Sequence, residues 1–438
     1  MASSSTTRSR PQSVPPSADF VYRGGILYAE SVSLMEIADR VGTPAYVYSA
    51  SVIDGAYHRI DEALGDVPHL LAYSVKANGN LALLARMGRM GSGADIVSGG
   101  ELARVLEAGI PASRVVFSGV GKTDRELHAA LDAGIYQTNV ESVAEIDALE
   151  AIARARGVCV PVALRVNPDV DPGTHPYIST GLHTNKFGLQ TKTARELIPR
   201  LKQSRYLDLQ GLACHIGSQL LSPAPISDAV AIVAEFAVEC VRAGVELRTL
   251  DVGGGWPILY GDETSIPYPF SAFGDAVREG IREGGAEQLK LQIIVEPGRS
   301  IVGDAGVLLT RVTYVKWQGG KRFIIVDGSM TELIRPALYG SYHAVSLVEK
   351  PDETAPLTPA DVVGPVCETS DFLARDRELP ELKRGDLLAV RGAGAYGAVM
   401  ASTYNGRPRA PEVLVEGKDY HLIRTRETIP ELWQNEIK

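Results

Sequence analysis

The feature that most constrains the fold is a regular alternation from about Leu70 to Arg299, where short apolar, β-branched runs are each followed by an amphipathic helical stretch. Repeated units of this kind predict parallel strands with helices packed outside them. Eight units over this span match a (β/α)8 barrel, for which about 250 residues is typical. The predicted strands are Leu70–Lys76, Ala94–Ser98, Val115–Ser118, Gln137–Glu141, Val160–Asn167, Leu209–Ile216, Leu247–Val252 and Leu289–Glu296.

An open doubly wound sheet is the alternative architecture. It would normally need fewer strands, and the sequence has no G-x-G-x-x-G opening its first helix. A barrel also predicts that functional residues collect at the C-terminal ends of its strands. The predicted ends agree, since they carry Lys76, Asp95, Ser98, Ser118, Asn139, Glu141, Arg165, Asn167, His215, Ser218, Gly253–Gly255 and Glu296–Arg299.

Beyond Arg299 the pattern changes to short alternating strands separated by Pro- and Gly-rich turns, which predicts a second, mainly β domain. Its predicted strands are Val307–Trp317, Arg322–Val326, Ala360–Val366 and Asp386–Val390. Phe20–Tyr28 and Ala45–Tyr48 are also strand-like and are expected to pair with that domain. The predicted segments are a disordered tail at 1–18, an N-terminal segment at 19–47, the barrel at 48–303 and the β domain at 304–438.

Charge, cysteine spacing and composition limit the binding partners and the cellular compartment that we expect for this protein. The net charge of −9 comes without a basic block, which argues against nucleic acid and acidic membranes as partners. The four cysteines show no paired or metal-type spacing, which favours a reducing, cytoplasmic compartment. No apolar run is long enough to cross a bilayer. The Ser-, Thr-, Arg- and Pro-rich start reads as a tail, with a transit peptide as the alternative.

Lys76 and two glycine segments indicate a cofactor. A lysine at a strand tip is expected to be partly desolvated, which favours its neutral, nucleophilic form and a Schiff base with an aldehyde. Gly253–Gly255 and Gly298, at the ends of the last two strands, stand where barrels commonly bind phosphate through backbone N–H groups. Aldehyde capture together with phosphate binding predicts pyridoxal 5′-phosphate.

Two further strand-end residues suit that cofactor. Glu296 is the candidate carboxylate for the ring nitrogen, which must stay protonated for the ring to act as an electron sink. The flat ring of His215 is expected to stack on the pyridine. A lone histidine is more often structural or a metal ligand, but no Cys/His/Asp cluster at metal spacing accompanies it, so no metal site is predicted.

The same positions carry motifs that resemble the fold-type III, alanine-racemase-like pyridoxal-phosphate decarboxylases, and most closely those acting on meso-diaminopimelate. The resemblance covers about Tyr22 to Val415. It rests on Tyr73-Ser-Val-Lys76-Ala-Asn78, Gly93-Ala-Asp95-Ile-Val-Ser98-Gly-Gly-Glu101, Arg165-Val-Asn167-Pro-Asp169, His175-Pro-Tyr177-Ile-Ser-Thr-Gly181, Lys186-Phe-Gly188, Cys214-His215-Ile-Gly-Ser218-Gln219, Gly253–Gly255, Glu296-Pro-Gly-Arg299, Leu333-Ile-Arg335-Pro-Ala-Leu-Tyr339, Gly364-Pro-Val-Cys367-Glu368, Tyr396-Gly and Tyr404-Asn405-Gly406-Arg407-Pro408.

This resemblance implies decarboxylation of meso-2,6-diaminopimelate to L-lysine and CO2, the last step of lysine biosynthesis. It implies that Lys76 holds the cofactor and that Cys367 donates a proton to the active site of the partner subunit in a homodimer. The implied cofactor contacts are Lys76, Asp95, His215, Ser218, Gly254, Gly255, Glu296, Gly298, Arg299 and Tyr396. The sequence departs from the family pattern at Thr369-Ser370 and Trp256-Pro257, which bears on loop geometry rather than on chemistry.

The choice of substrate depends on its distal end. Diaminopimelate carries a distal carboxylate, which a planar guanidinium binds in a bidentate manner, whereas diamine-forming decarboxylases need only carboxylates for a distal ammonium. Arg335 lies between apolar residues, where an idle charge would be costly. The alternatives are an ornithine, lysine or arginine decarboxylase, a racemase, or a non-catalytic carrier of the cofactor. The predicted substrate residues are Arg299, Arg335, Tyr339, Glu368 and Tyr396.

Overall fold

The computed structural model describes residues 20–171, 185–261 and 269–437, so the predicted tail and the motif at 175–181 lie outside the described residues. Eight parallel strands close into a barrel, because the first strand pairs with both the second and the eighth and the fourth pairs with the fifth. This confirms the predicted fold class. In chain order the barrel strands are His69–Ser74, Gly93–Ile96, Val115–Phe117, Gln137–Val140, Val160–Asn167, Leu207–Ala213, Thr249–Asp251 and Gln292–Val295.

The last strand begins three residues later than predicted. Glu287–Leu289 forms a single 3-10 turn, and Lys290 has a left-handed φ of 50°, which lies outside the extended conformation of a regular strand. A turn therefore replaces the start of the predicted strand. Leu189–Gln190 adds a short parallel pairing beside the fifth barrel strand.

Helices begin directly after several barrel strands because a polar residue caps each start. The side-chain oxygens of Asn80, Ser98, Thr123 and Ser142 accept N–H groups of the first turn. These caps fix the short connections that hold the strand-end side chains. The barrel helices are Ala50–Leu64, Leu81–Arg89, Gly99–Glu107, Asp124–Ala133, Val143–Arg156, Thr191–Gln203, Ala224–Arg242 and Phe270–Glu283, with a short helix Arg299–Val302 after the eighth strand.

The chain beyond the barrel forms a mainly β region with a short helix, Arg335–Tyr339. Its strands are Gly306–Gln318, Lys321–Val326, Val345–Leu347, Thr358–Val363, Phe372–Leu379, Leu387–Val390, Glu412–Glu416 and Asp419–Arg424. Ala45–Ser49, which precedes the barrel, pairs with both Gly306–Gln318 and Glu412–Glu416. A segment from each side of the barrel thus shares one sheet.

The N-terminal segment folds back on itself before it reaches that sheet. Phe20–Arg23, Ile26–Ala29 and Val32–Ser33 form a small antiparallel sheet, followed by the helix Leu34–Val41. Gly24 and Gly25, with φ of 56° and 84°, make the first turn, so the predicted run Phe20–Tyr28 is a hairpin rather than one strand. Its buried side chains pack in one core cluster with strands of the β sheet. The division into domains stays a prediction.

Candidate active site

Lys76 lies at the mouth of the barrel, in the 3-10 turn Val75–Ala77 that follows the first strand. Its Nζ donates to Asp95 Oδ2 at 2.6 Å, and the Lys76 side chain is 33% exposed whereas that of Asp95 is fully buried. Ser74 Oγ donates to the same carboxylate oxygen at 2.9 Å. The amine is therefore held by a buried carboxylate and still faces accessible space.

In this structure, nearby carboxylates outweigh the effect that burial has on the pKa of the Lys76 amine. Burial lowers the pKa of Lys76, but the carboxylates of Asp95 and Glu296 raise it above its ordinary value. The cofactor-free amine is a cation, contrary to the neutral amine expected from a desolvated strand tip. It must lose a proton before it attacks an aldehyde.

Two buried acids stand deeper in the barrel. Asn139 Nδ2 donates to Asp251 Oδ2 at 2.9 Å and to Ser118 Oγ at 3.1 Å, and Ser118 Oγ donates to Glu296 Oε1 at 3.3 Å. Burial raises the pKa of Glu296 well above its usual value and that of Asp251 to about 6, and the negative charge of Asp251 raises the pKa of Glu296 further. We infer that the pair holds a shared proton. Asp251 was not among the predicted site residues.

Arg165 and Glu141 form a second buried pair, with Nη1 donating to Oε1 at 2.8 Å. The Arg165 charge lowers the pKa of Glu296, although burial dominates there. Both residues were recognised as strand-end residues but were not predicted to bind the cofactor. The sequence pattern placed both at strand ends but did not indicate that Arg165 would lie close enough to Glu296 to lower its pKa.

The glycine loop after the seventh strand packs against two neighbouring strand ends. A Cβ at Gly254 would lie 2.1 Å from the Glu296 carbonyl oxygen, and one at Gly255 would lie 2.4 Å from that of Gly217. The Gly254 N–H donates to His215 Nδ1 at 3.1 Å. Burial, with the charge of Lys76, lowers the pKa of His215 well below its ordinary value, so its ring is neutral. Trp256, one of the departures from the family pattern, is buried against Phe270 and Phe273 and anchors this loop.

Arg299 occupies the start of the short helix after the eighth strand, and Gly298 lets the backbone there approach Ser74 and Ala77. Its Nη2 donates to Ser218 Oγ at 2.9 Å, and Nη1 donates to the Tyr260 hydroxyl. The guanidinium stands 4.8 Å from the centre of the Tyr396 ring. The structure thus brings the predicted residues Ser218, Arg299 and Tyr396 together.

Arg335 also lies against the ring of Tyr260. Its guanidinium stands 4.5 Å from the centre of that ring, and it donates to His343 Nε2 at 2.9 Å and Ser341 Oγ at 3.3 Å. Both Arg299 and Arg335 are only 6% exposed, and in the described ranges neither is paired with a carboxylate. Tyr339 is close enough to influence the pKa of each. Tyr260 and His343 were not predicted, because no motif or strand end marks them.

Cys367 and Glu368 are placed differently from the other predicted residues. Both are exposed, on a loop whose start is held by Asp371 through the Val366 N–H at 2.6 Å. The Cys367 N–H donates to Asn405 Oδ1 at 2.9 Å, and the Tyr404 hydroxyl donates to Glu368 at 2.6 Å. Their hydrogen bonds therefore go to a neighbouring surface turn rather than to the strand ends.

These groups fit pyridoxal phosphate. One barrel mouth carries a lysine amine, a buried acid pair and a flat neutral imidazole. It also carries a glycine loop with Ser218 and Arg299. The acid pair suits a ring nitrogen, and the loop with its two neighbours suits a phosphate. Asp95 Oδ1 is buried with no hydrogen-bond partner among the described residues, so it is an acceptor available to a further group. Across the described ranges, no group of three or more His, Cys, Asp or Glu is placed to hold a metal ion, and no helix is long and apolar enough to cross a membrane.

Comparison with known proteins agrees with this arrangement. Residues 50–303 match the family model of the pyridoxal-binding domain of pyridoxal-dependent decarboxylases. The chain is 49% identical over 417 residues to diaminopimelate decarboxylase of Pseudomonas aeruginosa, covering 95% of this chain and 98% of that one. It is 48% identical over 411 residues to the enzyme of Neisseria meningitidis, covering 94% and 99%.

A solved structure is similar in fold as well. The crystal structure of Helicobacter pylori diaminopimelate decarboxylase complexed with L-lysine superposes with a TM-score of 0.87 at 42% identity, over 92% of this chain and 98% of that one. Similarity at this level over nearly the whole length, together with the lysine, acid pair and glycine loop at the barrel mouth, places this chain in the diaminopimelate decarboxylase family of pyridoxal-phosphate enzymes.

Proposed function

We propose that this protein catalyses the pyridoxal-phosphate-dependent decarboxylation of meso-2,6-diaminopimelate to L-lysine and CO2. The observation that carries the proposal is the pair of buried guanidinium groups, Arg299 and Arg335, which both lie near the ring of Tyr260. Among the described residues neither cation has a carboxylate partner, and two such buried cations are costly unless an anion is supplied, for example by a ligand. The carboxylates of an amino-acid substrate supply it.

The residues at the barrel mouth would hold the cofactor. Lys76 would bind its aldehyde carbon, His215 would lie against its ring, Glu296 would face its ring nitrogen, and the Gly254–Gly255 loop with Ser218 and Arg299 would receive its phosphate. When bound, the protonated ring supplies an electron sink for the electron pair left by the departing carboxylate. Asp251 would keep the proton that Glu296 gives up on facing the pyridinium, because burial favours the neutral form of one acid of the pair.

The substrate's two ends would be handled separately. Its reacting amine would displace Lys76, and its remaining carboxylate would bind between Arg335 and Arg299, with Tyr339 and Tyr396 as hydroxyl donors. Ornithine, lysine and arginine carry no distal carboxylate, so with any of them as the substrate Arg335 would stay unpaired. The same argument disfavours a carrier without catalytic function, since a carrier needs no distal anion site.

We also propose that the catalytic unit is a homodimer in which the exposed loop carrying Cys367 and Glu368 completes the site of a second copy of the chain. In that arrangement Cys367 would protonate the α-carbon after CO2 leaves, and Glu368 would bind the distal ammonium. The support is that both side chains are exposed and are presented by Tyr404 and Asn405, on the β region rather than on the barrel.

The test is a substrate panel with added cofactor. CO2 release is measured from diaminopimelate, ornithine, lysine and arginine, and racemisation of each is followed by chiral chromatography. We expect kcat/KM for diaminopimelate to exceed the others by about a hundredfold or more, as for a ligand that keeps a buried charge pair. A preference for ornithine, or racemisation without CO2, would contradict the proposal.

A further inference from the structure

Arg335 is oriented by groups that carry no charge. Its Nη1 donates to His343 Nε2 at 2.9 Å, its Nη2 donates to Ser341 Oγ at 3.3 Å, and the Tyr260 ring lies beneath it at 4.5 Å. Burial lowers the pKa of the Arg335 guanidinium, and the nearby Arg299 lowers it further. Within the described residues, no carboxylate neutralises this cation, and its hydrogen bonds go only to the uncharged side chains of His343 and Ser341.

The hydrogen bonds of His343 identify its tautomer. Its Nδ1 is 2.8 Å from the Arg391 carbonyl oxygen, which only accepts, so Nδ1 carries the hydrogen. Nε2 then carries a lone pair, and it accepts the hydrogen bond from Arg335. The ring is completely buried, and burial with the Arg335 charge lowers the pKa of His343 to about 3. His343 is therefore an uncharged acceptor at any pH near neutrality.

The backbone holds this acceptor firmly. Arg391 directly follows the strand Leu387–Val390, which pairs antiparallel with Val345–Leu347, and the Arg391 N–H donates to the Ala344 carbonyl at 2.8 Å. The His343 ring also meets the Tyr260 ring edge-on, with centroids 5.0 Å apart and planes at 74°. The hydrogen bond to the Arg391 carbonyl and the contact with Tyr260 hold the ring in the orientation that turns Nε2 towards Arg335.

We propose that His343 is a specificity-determining positioning residue, which orients Arg335 towards the distal carboxylate of the substrate without cancelling its charge. This inference rests on the proposed function. A carboxylate at position 343 would orient Arg335 equally well, but it would neutralise the guanidinium and compete with the substrate. A lysine there would repel Arg335. A neutral histidine, fixed through Nδ1, provides the acceptor while the positive charge stays available.

Two substitutions separate the two ring nitrogens. The amide of His343→Asn stands near the Nδ1 position, so it keeps the bond to the Arg391 carbonyl but leaves Arg335 without its acceptor. The longer side chain of His343→Gln reaches the Nε2 position and restores an acceptor for Arg335. His69 is the matched control, because it also uses both nitrogens, bonding the Val67 carbonyl and Asp61, at the start of the first barrel strand.

The readout is competitive inhibition of the cofactor-loaded enzyme by L-lysine and by 1,5-diaminopentane, which is the same molecule without the carboxylate. We expect His343→Asn to weaken the binding of L-lysine and to raise KM for diaminopimelate, each by about tenfold. The value of kcat and the inhibition constant of 1,5-diaminopentane should change little. His343→Gln should stay within about threefold of the wild type. His69→Asn should leave the ratio of the two inhibition constants unaltered.

The outcomes distinguish the two proposals. If the wild-type enzyme binds 1,5-diaminopentane and L-lysine with equal affinity, the proposed role of the arginines is overturned, and this inference with it. Wild-type enzyme that prefers L-lysine, with both His343 variants unchanged in that preference, would overturn only the role of His343. Equal loss in His343→Asn and His343→Gln would also overturn it, because a general packing defect would explain both.

Discussion

At the scale of single residues, the site is governed by buried charge. Asp95 holds Lys76 as a cation. Burial raises the pKa values of Glu296 and Asp251, and the guanidinium groups of Arg299 and Arg335 are buried without a carboxylate partner among the described residues. Each of these states results from burial together with a particular neighbour, so each is testable by removing one side chain.

Lys76→Ala should abolish both the visible-edge absorbance of lysine-bound pyridoxal phosphate and turnover. The amine at the barrel mouth is the group placed to bind the aldehyde. The measurement is an absorbance spectrum and CO2 release after reconstitution with the cofactor, and a small added amine serves as the control for chemical rescue. Full activity of Lys76→Ala without that amine would contradict the role of Lys76.

Arg335→Ala should cost about 2–5 kcal/mol in transition-state binding of diaminopimelate, because the substrate carboxylate would be left unpaired in a dry pocket. The spectrum of bound cofactor should persist, since Arg335 contacts Tyr260, Ser341 and His343 rather than Lys76. Arg335→Lys is the matched variant, which keeps the charge but loses the planar fork. An unchanged kcat/KM in Arg335→Ala would reject the substrate assignment.

Asp251→Asn should alter the pH dependence of stability in the cofactor-free protein. The folded-state pKa of Asp251 is raised to about 6, so the folded state binds the proton more tightly than the unfolded chain does. Asp251 therefore makes stability fall as pH rises from about 4 to about 6. Asp251→Asn removes this pH-dependent contribution. The thermal midpoint of the variant, relative to that of the wild type, should therefore rise as the pH increases from about 4 to about 6. Asp208→Asn, at a partly exposed acid, is the control and should show no such gain.

At the scale of secondary-structure elements, function depends on how strand ends meet. The eight strands bring Lys76, Asp95, Ser118, Asp251 and Glu296 to one mouth, and the glycine loop after the seventh strand packs on the end of the eighth. The loop leaves no space for a methyl group between these two strand ends.

Gly254→Ala should therefore weaken cofactor binding and destabilise the fold by about 1–3 kcal/mol, as overpacking does. The added Cβ would meet the Glu296 carbonyl oxygen at 2.1 Å, so the loop must shift, and with it the proposed binding sites for the phosphate and the ring nitrogen. Gly121→Ala is the matched control, since a Cβ there meets nothing within 4 Å. Cofactor titration by absorbance and the thermal midpoint would test this, and equal affinity in both variants would contradict it.

At the scale of the whole molecule, the barrel and the β region are tied together through Ala45–Ser49, which belongs to the β sheet and leads directly into the barrel helix Ala50–Leu64. The exposed loop with Cys367 is part of this β region. The proposed dimer would use each copy's loop to complete the other copy's barrel mouth.

Mixing Lys76→Ala and Cys367→Ala chains should restore activity that neither variant has alone. If chains exchange at random on refolding, about half the dimers are mixed, and each mixed dimer has one intact site, giving about a quarter of wild-type activity. Refolding each variant alone is the control. If the two residues of one site came from the same chain, no mixture would regain activity.

Much of this protein follows from local sequence. The period of apolar residues and the capping residues set the order of the eight strand–helix units, because both act within a few residues. Strand ends in a parallel barrel share one face, so the sequence alone was enough to bring Lys76, Glu296, His215 and the glycine loop into one predicted site. The family motifs added Arg335 and the Cys367 loop.

Tertiary packing decided the rest. The charge of Lys76, the raised pKa values of Glu296 and Asp251, and the hydrogen bond of Arg335 to His343 depend on residues that lie far apart in sequence or on loops without a periodic pattern. The strands Glu412–Glu416 and Asp419–Arg424 were likewise unpredicted. The physical reason is that burial and pairwise distance set both pKa and side-chain orientation, and these quantities exist only once the chain has folded.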